Sequence, residues 1–309
     1  QLTSSIVQVA LLWKISDWRP SLEFSVTHFR DLFSYGANII GINLAEFFSR
    51  NADKFLIGYY LGAVALGYYA VAYKLLQTLA RLFSSVTNRV IFSSFSALQD
   101  QVDRLRSAFY TATQLTGLVT FPLYTGLAVT ASYVVILVFG DQWGPSVPVI
   151  QVLAFAGLLE SVYLHNANVM LAMGKPSWRL KLNLLNAVAN LAVFTIAVRW
   201  GIVAVAAAYV IRAYVLAPIP LILVKRLIYI DIGRYLANFR VPAAATAVMA
   251  IVVGIAGPAL DDYLPLFWTT ALSVAIGAVT YIATTMLLSP ALVSKVRNVI
   301  RQRHGAATS

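Results

Sequence analysis

The sequence predicts an all-α protein that crosses a membrane several times. Of its 309 residues, 60% are hydrophobic and only 11% are charged, and the mean hydropathy is +0.76. Soluble domains contain about 45–50% apolar and about 25% charged residues. The apolar runs are about 20 residues long and do not alternate, which predicts membrane-spanning helices rather than the strands of a barrel.

The apolar runs indicate eight complete spans. A shorter run, "ASYVVILVFG" (131–140), is interpreted as an interfacial piece or a helix extension. The predicted spans are 31–55, 63–87, 107–128, 147–172, 179–199, 201–223, 241–259 and 265–288.

The first apolar stretch, about residues 5–13, is too short to span a membrane and lacks the features of a signal peptide. It is interpreted as the cut end of a helix, so the sequence is expected to be the C-terminal part of a longer protein. Three regions are expected: 1–30, a helix end and linker; 31–224, a six-helix lobe; and 225–309, a connector, two helices and a basic tail.

The connections between the spans alternate in charge. Most of the 23 Lys and Arg residues lie in the linker 14–30, in every second connection and in the tail, whereas the other connections are poor in them. The positive-inside rule therefore places the basic set, including the C-terminus, in the cytoplasm. This bias also explains the net charge of +11 without nucleic acid as a partner. The basic connector 225–240 is expected to lie along the cytoplasmic surface, near anionic membrane lipid.

A polar stripe occupies one face of the first complete span. At 100° per residue, its members fall within an arc of about 100°. Such a stripe must face the bundle interior or a water-filled cavity, because each charge near the membrane centre costs at least about 2.5 kcal/mol. Neighbouring members have the spacing of ion pairs. The stripe consists of Asn43, Glu46, Arg50, Asp53 and Lys54.

The next span carries a second stripe, Lys74, Gln77 and Arg81, in which no acid occurs. With Arg50, Lys54 and Arg212, the six-helix region has five cations within or near the membrane. The acids there are Glu46, Asp53 and Glu160, so the surplus is +2. A cavity with this surplus favours an anion such as phosphate or pyrophosphate, which suits the planar donors of arginine. The competing interpretation is structural: ion pairs lock helices, Arg212 pairs with Glu160, and end cations reach the interface.

Three asparagines, at positions 183, 186 and 190, share one face of a later span. Hydrogen bonding between helices is the favoured interpretation. The sequence contains no cysteine, no phosphate-binding loop, no zinc-protease motif and no nucleophile elbow. The chain is therefore predicted not to be an enzyme and to need no cofactor other than a coupling ion, H⁺ or Na⁺.

Three segments resemble the Wzx-type polysaccharide repeat-unit flippases, especially their colanic-acid and teichuronic-acid export branches. They are "RNADKFLIGYYLGAVALGYYAVAYKL" (50–75), "VIFSSFSALQDQVDRLRSAFY" (90–110) and "VFGDQWGPSVPVIQVLA" (138–154). Arg50 and Asp53 match the family's arginine–x–x–aspartate motif, whereas Lys54 stands where the family often has asparagine. The resemblance covers roughly residues 10–230.

The resemblance implies the multidrug/oligosaccharidyl-lipid/polysaccharide exporter superfamily: two six-helix lobes, two extra C-terminal helices and alternating access through a cationic central cavity. It implies transport of undecaprenyl-pyrophosphate-linked oligosaccharide across the bacterial cytoplasmic membrane for exopolysaccharide, capsule or O-antigen synthesis. Polysaccharide polymerase and chain-length proteins are candidate partners. The chain would supply one lobe and the two extra helices.

Residue roles follow from combining the stripes with this resemblance. We expect Arg50, Lys54, Lys74, Arg81 and Arg212 to contact the pyrophosphate or glycan, and Asn43, Glu46, Asp53 and Gln77 to orient them or couple to an ion. Two alternatives stay open. A multidrug antiporter of the same superfamily would need an acidic cavity, and a membrane-embedded polymerase or glycosyltransferase would need a large outward loop with catalytic residues.

Overall fold

The computed structural model describes residues 2–15 and 26–289, with side chains described outside 26–50, 82–90 and part of the first helix. The described residues are helical, with turns and short connections between the helices. The chain divides into two compact units, Gln1–Phe48 and Ser49–Ser309. The α-helices are α1 Leu2–Ile15, α2 Val26–Ala97, α3 Val102–Val129, α4 Ala131–Phe139, α5 Val147–Tyr163, α6 Asn166–Ala172, α7 Pro176–Ala197, α8 Ile202–Leu216, α9 Pro218–Ile228, α10 Ile232–Ala237, α11 Arg240–Asp261 and α12 Leu266–Leu288. Short 3₁₀ helices at Asp141–Ser146 and Val198–Trp200 precede α5 and α8.

The helices that are long and apolar enough to cross a membrane number six among the described residues, or seven if α3 and α4 form one bent span. They are Asn51–Arg81, Asp141–Ala172, Pro176–Trp200, Ile202–Ile228, Ile232–Asp261 and Leu266–Leu288. They correspond to predicted spans, and the bent pair contains the predicted span 107–128. Most side chains of the predicted span 31–55 lie outside the described set. The all-α, multi-span fold is thus confirmed.

The short apolar run at 131–140 forms a helix of its own. The axis of α4 is bent by 73° from that of α3, with the break at Thr130. The Thr130 hydroxyl donates to the Gly126 carbonyl at 2.7 Å, so a side chain occupies a backbone acceptor next to the bend. Of the two forms expected for this run, the structure agrees with the helix extension, which turns away from α3 at the bend.

The bend within α2 lies at Gly62. This residue has φ 84° and ψ 177°, which lie outside the helical region. The long helix is therefore divided at Gly62 into two segments that can run antiparallel to each other. Gly62 lies between the predicted spans 31–55 and 63–87, with glycine–tyrosine pairs on both sides of it in "IGYYLGAVALGYY". A backbone conformation of this kind is essentially restricted to glycine.

Gly62→Ala is therefore expected to lower the free energy of unfolding by about 1–3 kcal/mol. No heavy atom lies within 4 Å of an added Cβ at Gly62, so backbone strain rather than collision causes the loss. Thermal unfolding of the purified protein in detergent measures it. Gly254→Ala is the matched control, because the added methyl also meets open space but the backbone is helical. Equal melting temperatures for the two variants would show that the Gly62 backbone is not strained.

The core of the second unit is built in layers. α3 packs on α5 and α11, α5 packs on α8, α7 packs on α8, and α11 packs on α12. One buried cluster joins the second part of α2 with α5 and α8 through residues such as Tyr69, Ile150 and Val205. A second buried cluster, around Phe109 and Tyr235, lies at the end of the unit that carries the basic connector 225–240.

The basic connector 225–240 carries charge and also packs against the rest of the protein. It contains α10, whose N-cap Asp231 accepts a hydrogen bond from the Arg234 backbone N–H at 2.9 Å. Tyr235 is fully buried, stacks on Phe109 with ring centroids 5.5 Å apart, and donates its hydroxyl to the Val162 carbonyl. The amphipathic pattern had suggested a surface position. The structure shows that the apolar side of this segment packs on the protein core through Tyr235, so lipid is not its only neighbour.

The last two helices pack against α3 as well as against each other. Tyr281 of α12 donates to the Leu118 carbonyl of α3 at 2.6 Å. The added Cβ of an alanine at Gly277 would lie 3.1 Å from Val253, so the two helices approach each other closely at this point. Small residues at helix contacts are typical of packing in membranes.

Candidate functional site

The candidate site lies where α2, α5 and α8 meet in the second unit. A cavity of about 50 Å³ is lined by residues that include Tyr73 and Gln77 of α2, Gly157 and Glu160 of α5, and Tyr209 of α8. A larger cavity of about 390 Å³ adjoins it and shares Glu160 and Tyr209. These two side chains therefore border both cavities.

Tyr209 connects the acid and the cation of this region. Its hydroxyl donates to Glu160 Oε1 at 2.8 Å, and the Arg212 guanidinium carbon lies 4.9 Å from the centre of its ring. Arg212 Nη1 donates to Asn186 Oδ1 at 2.6 Å. Tyr209 and Arg212 are one helical turn apart on α8, which places both side chains on the same face. We call Tyr73, Gln77, Glu160, Tyr209 and Arg212 the polar seam.

The expected direct pair between Glu160 and Arg212 is replaced by this bridge. Among the residues the structure describes, the two side chains form no ion pair within 4.0 Å, and Tyr209 stands between them as donor to one and aromatic partner of the other. The prediction that the asparagine face bonds between helices is confirmed at Asn186, which joins α7 to α8.

Asp53 is held within the α2 hairpin. It is buried, and both carboxylate oxygens are occupied: Oδ2 accepts from the Tyr69 hydroxyl at 2.8 Å and Oδ1 from the Lys54 backbone N–H at 2.8 Å. Tyr69 lies 16 residues later, on the other side of the Gly62 bend. Asp53 therefore ties the two segments of the hairpin together.

Tyr69→Phe is expected to lower the free energy of unfolding by about 1–2 kcal/mol, because the buried Asp53 carboxylate loses its hydroxyl donor. Unfolding of the purified protein in mixed micelles, followed by circular dichroism, measures the change. Tyr59→Phe removes a hydroxyl from a side chain that is 76% exposed on the same hairpin and serves as control. A loss no larger than that of Tyr59→Phe would mean that the Tyr69–Asp53 bond does not hold the hairpin.

The remaining predicted residues fall into three groups. Lys54 Nζ lies 3.2 Å from Asn51 Oδ1 and 4.8 Å from the centre of the Tyr73 ring, at the edge of the polar seam. Lys74 and Arg81 are exposed on α2, where Arg81 Nη2 donates to Gln77 Oε1 at 3.3 Å. The side chains of Asn43, Glu46 and Arg50 lie outside the described residues.

Lys74 and Arg81 carry charge that the described part of the chain leaves uncompensated. Neither has an acidic side chain within 4.0 Å among the residues the structure describes. Gln77, which lines the small cavity, lies between them in sequence, whereas Lys74 and Arg81 are not among the residues that line this cavity. The two side chains are exposed donors on the same helix whose Tyr73 and Gln77 line the small cavity together with Glu160 and Tyr209.

Glu160, Tyr209 and the asparagine face were not predicted to bind substrate, although they line the cavities. The available signal was weak: a tyrosine one turn before an arginine in a span, and three amides on one face. Their connection depends on three helices packing side by side, which the periodicity of any one helix does not reveal.

The comparisons with known proteins test the resemblance and the fold predicted from the sequence. A family model described as a polysaccharide biosynthesis protein matches residues 1–148. The teichuronic acid biosynthesis protein TuaB of Bacillus subtilis (strain 168) is 29% identical over 293 residues, which cover 93% of this chain and 60% of TuaB. The resemblance to the Wzx-type polysaccharide flippases is confirmed.

Two further relatives support the same relationship, and a solved structure shows the same fold. The lipopolysaccharide biosynthesis protein WzxC of Escherichia coli (strain K12) is 30% identical over 54% of this chain and 34% of WzxC. The probable low-salt glycan biosynthesis flippase Agl15 of Haloferax volcanii is 23% identical over 95% of this chain and 62% of that protein. The lipid II flippase MurJ, in an inward closed conformation, has the same fold, with a TM-score of 0.72 at 15% identity over 93% of this chain and 60% of MurJ.

These relatives are named for biosynthesis and flipping rather than for a catalysed reaction, which supports the prediction that the chain is not an enzyme. The chain spans about 60% of the length of TuaB and of MurJ. This chain is therefore a multi-span membrane segment. It is similar to proteins that act in polysaccharide biosynthesis.

Proposed function

We propose that the protein carrying this chain moves undecaprenyl-pyrophosphate-linked oligosaccharide repeat units across the bacterial cytoplasmic membrane. The movement would occur by alternating access and supply cell-surface polysaccharide synthesis. The observation that carries the proposal is the similarity to TuaB over 93% of the chain, together with the MurJ-like fold. TuaB is named for teichuronic acid biosynthesis and MurJ as a lipid II flippase, and transport of a lipid-linked saccharide would account for both likenesses.

The uncompensated cations support an anionic head group as the cargo. Lys74 and Arg81 are exposed and lack acidic partners among the described side chains. A pyrophosphate presents several acceptor oxygens, and charge-assisted bonds from Lys and Arg are stronger than neutral ones. We assign these two residues to the pyrophosphate, and Arg50 and Lys54 to its approach from the outer end of the hairpin.

Asp53 and Gln77 act as positioning residues in this proposal. Asp53 holds the hairpin closed through Tyr69, and Gln77 accepts from Arg81 at 3.3 Å. Glu46 and Asn43 remain proposed for orientation or for coupling to H⁺ or Na⁺. A cytoplasmic C-terminus is part of the proposal and is supported by the basic connections through the positive-inside rule. Polysaccharide polymerase and chain-length proteins are the proposed partners.

Disruption of the gene in its own bacterium tests the proposal. We expect loss of one surface polysaccharide, accumulation of lipid-linked repeat units with the glycan facing the cytoplasm, and recovery when the full-length protein is supplied. Sensitivity to cationic drugs should not change. Increased drug sensitivity with normal polysaccharide would instead indicate the multidrug antiporter, and accumulation of flipped, unpolymerised units would indicate a polymerase.

A further inference from the structure

Glu160 places a carboxylate inside a candidate span with open space on two sides. It lies far from both ends of the span Asp141–Ala172, is exposed, and borders both cavities of the candidate site. The Tyr209 hydroxyl donates to its Oε1 at 2.8 Å, and no described residue donates to its Oε2. An ionisable side chain within a span is costly and is therefore retained mainly where it has a function.

The larger cavity leads from Glu160 to the basic end of α7. It measures about 390 Å³, and one face of α7 lines it with Arg179, Asn183, Asn186 and Asn190. Along this face the side chains change from exposed at Arg179 and Asn183 to buried at Asn190. The four positions extend over about 16 Å at 1.5 Å per residue. A polar cavity of this size can hold water, so we expect water to enter at the basic end.

The charges along this cavity favour a proton over a metal cation as the species that binds Glu160. Its charged lining consists of two arginines, Arg179 near the outer end and Arg212 beside Tyr209, against the one glutamate. Both guanidiniums would repel a metal cation. A metal cation also needs several ligands at one point, and the described residues contain no group of three His, Cys, Asp or Glu side chains placed to hold one. A proton needs one carboxylate oxygen and a chain of hydrogen-bonding water.

The titratable and charged groups that face Glu160 across the two cavities are phenols and guanidiniums. No other described residue that lines either cavity is an acid, so Glu160 is the one carboxylate there that can take up a proton. Lys74 and Arg81 line neither cavity. The facing groups are Tyr73 on α2, Tyr124 on α3, Tyr163 on α5, Arg179 on α7, and Tyr209 and Arg212 on α8.

We propose that Glu160 is a proton-binding residue, which water reaches along the asparagine face of α7. Its carboxylate takes a proton from a hydronium ion and later returns it to water, so one O–H bond forms as another breaks and no other reactant takes part. Glu160 and Gln77 line the same small cavity, and Gln77 accepts a hydrogen bond from Arg81. A change of charge on Glu160 should therefore alter the electrostatic potential at α2. The role of this proton in transport rests on the proposed function, whereas proton binding rests on the cavities.

Infrared difference spectroscopy of the full-length protein in detergent tests proton binding. Between about pH 9 and about pH 5, we expect the carbonyl band of a protonated carboxylic acid to appear in the wild-type protein. Glu160→Gln should lose this band, because its amide oxygen can still accept from Tyr209 but cannot take up the proton. Glu160→Asp keeps the acid and should shift the band. Asp261→Asn, at the exposed end of α11, should show the band as in the wild type.

Thiol labelling tests the water path. The chain contains no cysteine, and Asn183 lines the larger cavity, whereas the neighbouring and likewise exposed Leu184 does not. In the full-length protein, freed of any cysteine elsewhere and held in lipid nanodiscs, each position is replaced by cysteine and treated with an anionic, membrane-impermeant methanethiosulfonate. Asn183→Cys should react at least about tenfold faster than Leu184→Cys, because apolar surroundings disfavour the reactive thiolate.

Either of two results overturns the inference. An acid band that is unchanged in Glu160→Gln, or unshifted in Glu160→Asp if the glutamine variant does not fold, would show that Glu160 does not bind the proton. Equal labelling of the two cysteine variants would show that water does not enter the cavity.

Flipping in proteoliposomes tests the proposed function separately. A band that is lost in Glu160→Gln, in a protein whose wild type does not flip lipid-linked oligosaccharide, would keep the proton site and reject the flippase. Flipping with the same response to a pH gradient in the wild type and in Glu160→Gln would keep the flippase and reject the role of this proton in it.

Discussion

Replacing Lys74 and Arg81 together with alanine is expected to reduce polysaccharide export by at least about tenfold at normal protein levels. Charge-assisted hydrogen bonds contribute about 1.5–3 kcal/mol each, and 1.4 kcal/mol corresponds to a factor of 10. Both side chains are exposed, so their replacement would remove the proposed contacts to the pyrophosphate without opening the core. Surface polysaccharide is quantified in a strain whose only copy of the gene carries the two substitutions.

Two control variants separate the charge from the fold. Lys74→Arg with Arg81→Lys keeps both charges and should retain most of the export. Arg199→Ala removes an exposed cation from the 3₁₀ helix at Val198–Trp200, away from the polar seam, and should leave export unchanged. Normal export by the double alanine variant would remove these two residues from the anion site.

Gly157→Leu is expected to yield no stably folded protein, and Gly157→Ala to lower the free energy of unfolding by about 1–3 kcal/mol or more. Gly157 on α5 faces the Tyr124 ring of α3, and an added Cβ would overlap it, with Tyr124 Cγ only 2.8 Å away. Tyr124 is 5% exposed, so its ring can make room for the methyl group only by displacing core neighbours or by entering the small cavity of about 50 Å³ that it lines. Yield of monodisperse protein and its melting temperature measure the two effects.

A double-mutant cycle attributes this loss to the helix contact. Tyr124→Ala combined with Gly157→Ala should recover part of the stability lost in the two single variants, giving a coupling energy of about 1 kcal/mol or more. Gly126→Ala on α3 is the control, because its added Cβ would meet only Met249 Cε at 3.9 Å. Additive losses, or a Gly157→Ala variant as stable as Gly126→Ala, would show that α3 and α5 are not packed this closely.

The fold class and several helix positions could be predicted because they depend on local composition. Long apolar runs can satisfy their backbone groups in lipid only as helices, so "RVPAAATAVMAIVVGIAGPALD" and the other runs predict their own structure. The bend at Gly62 could also be placed, since glycines on both sides of it interrupt a helical pattern. These features need no information about which helices are neighbours.

The contacts of the site could be predicted only in part, because they depend on packing between helices. The wheel placed Asp53 on a polar stripe, but its partner Tyr69 comes from the far side of the bend. Arg212 and Glu160 were recognised as potential partners, yet Tyr209 mediates between them. The unpaired amides of Asn166 and Asn190 become visible only when burial is known.

The connector 225–240 shows the same limit. Its basic, amphipathic sequence is compatible with a membrane surface or with a protein core, since both bury one apolar face. Phe109 on α3, more than 100 residues earlier in the chain, provides the surface on which Tyr235 stacks. Hydropathy alone could not choose between these two environments.

Flipping by the full-length protein in proteoliposomes tests the central claim most directly. Vesicles containing a fluorescent undecaprenyl-pyrophosphate oligosaccharide are treated with a membrane-impermeant quencher, which reaches only the outer leaflet. We predict that the protein makes the protected inner-leaflet fraction accessible, and that the Lys74→Ala, Arg81→Ala variant does so much more slowly at equal reconstitution. If the inner fraction stays protected with correctly folded protein under H⁺ and Na⁺ gradients of either direction, the flippase account is contradicted.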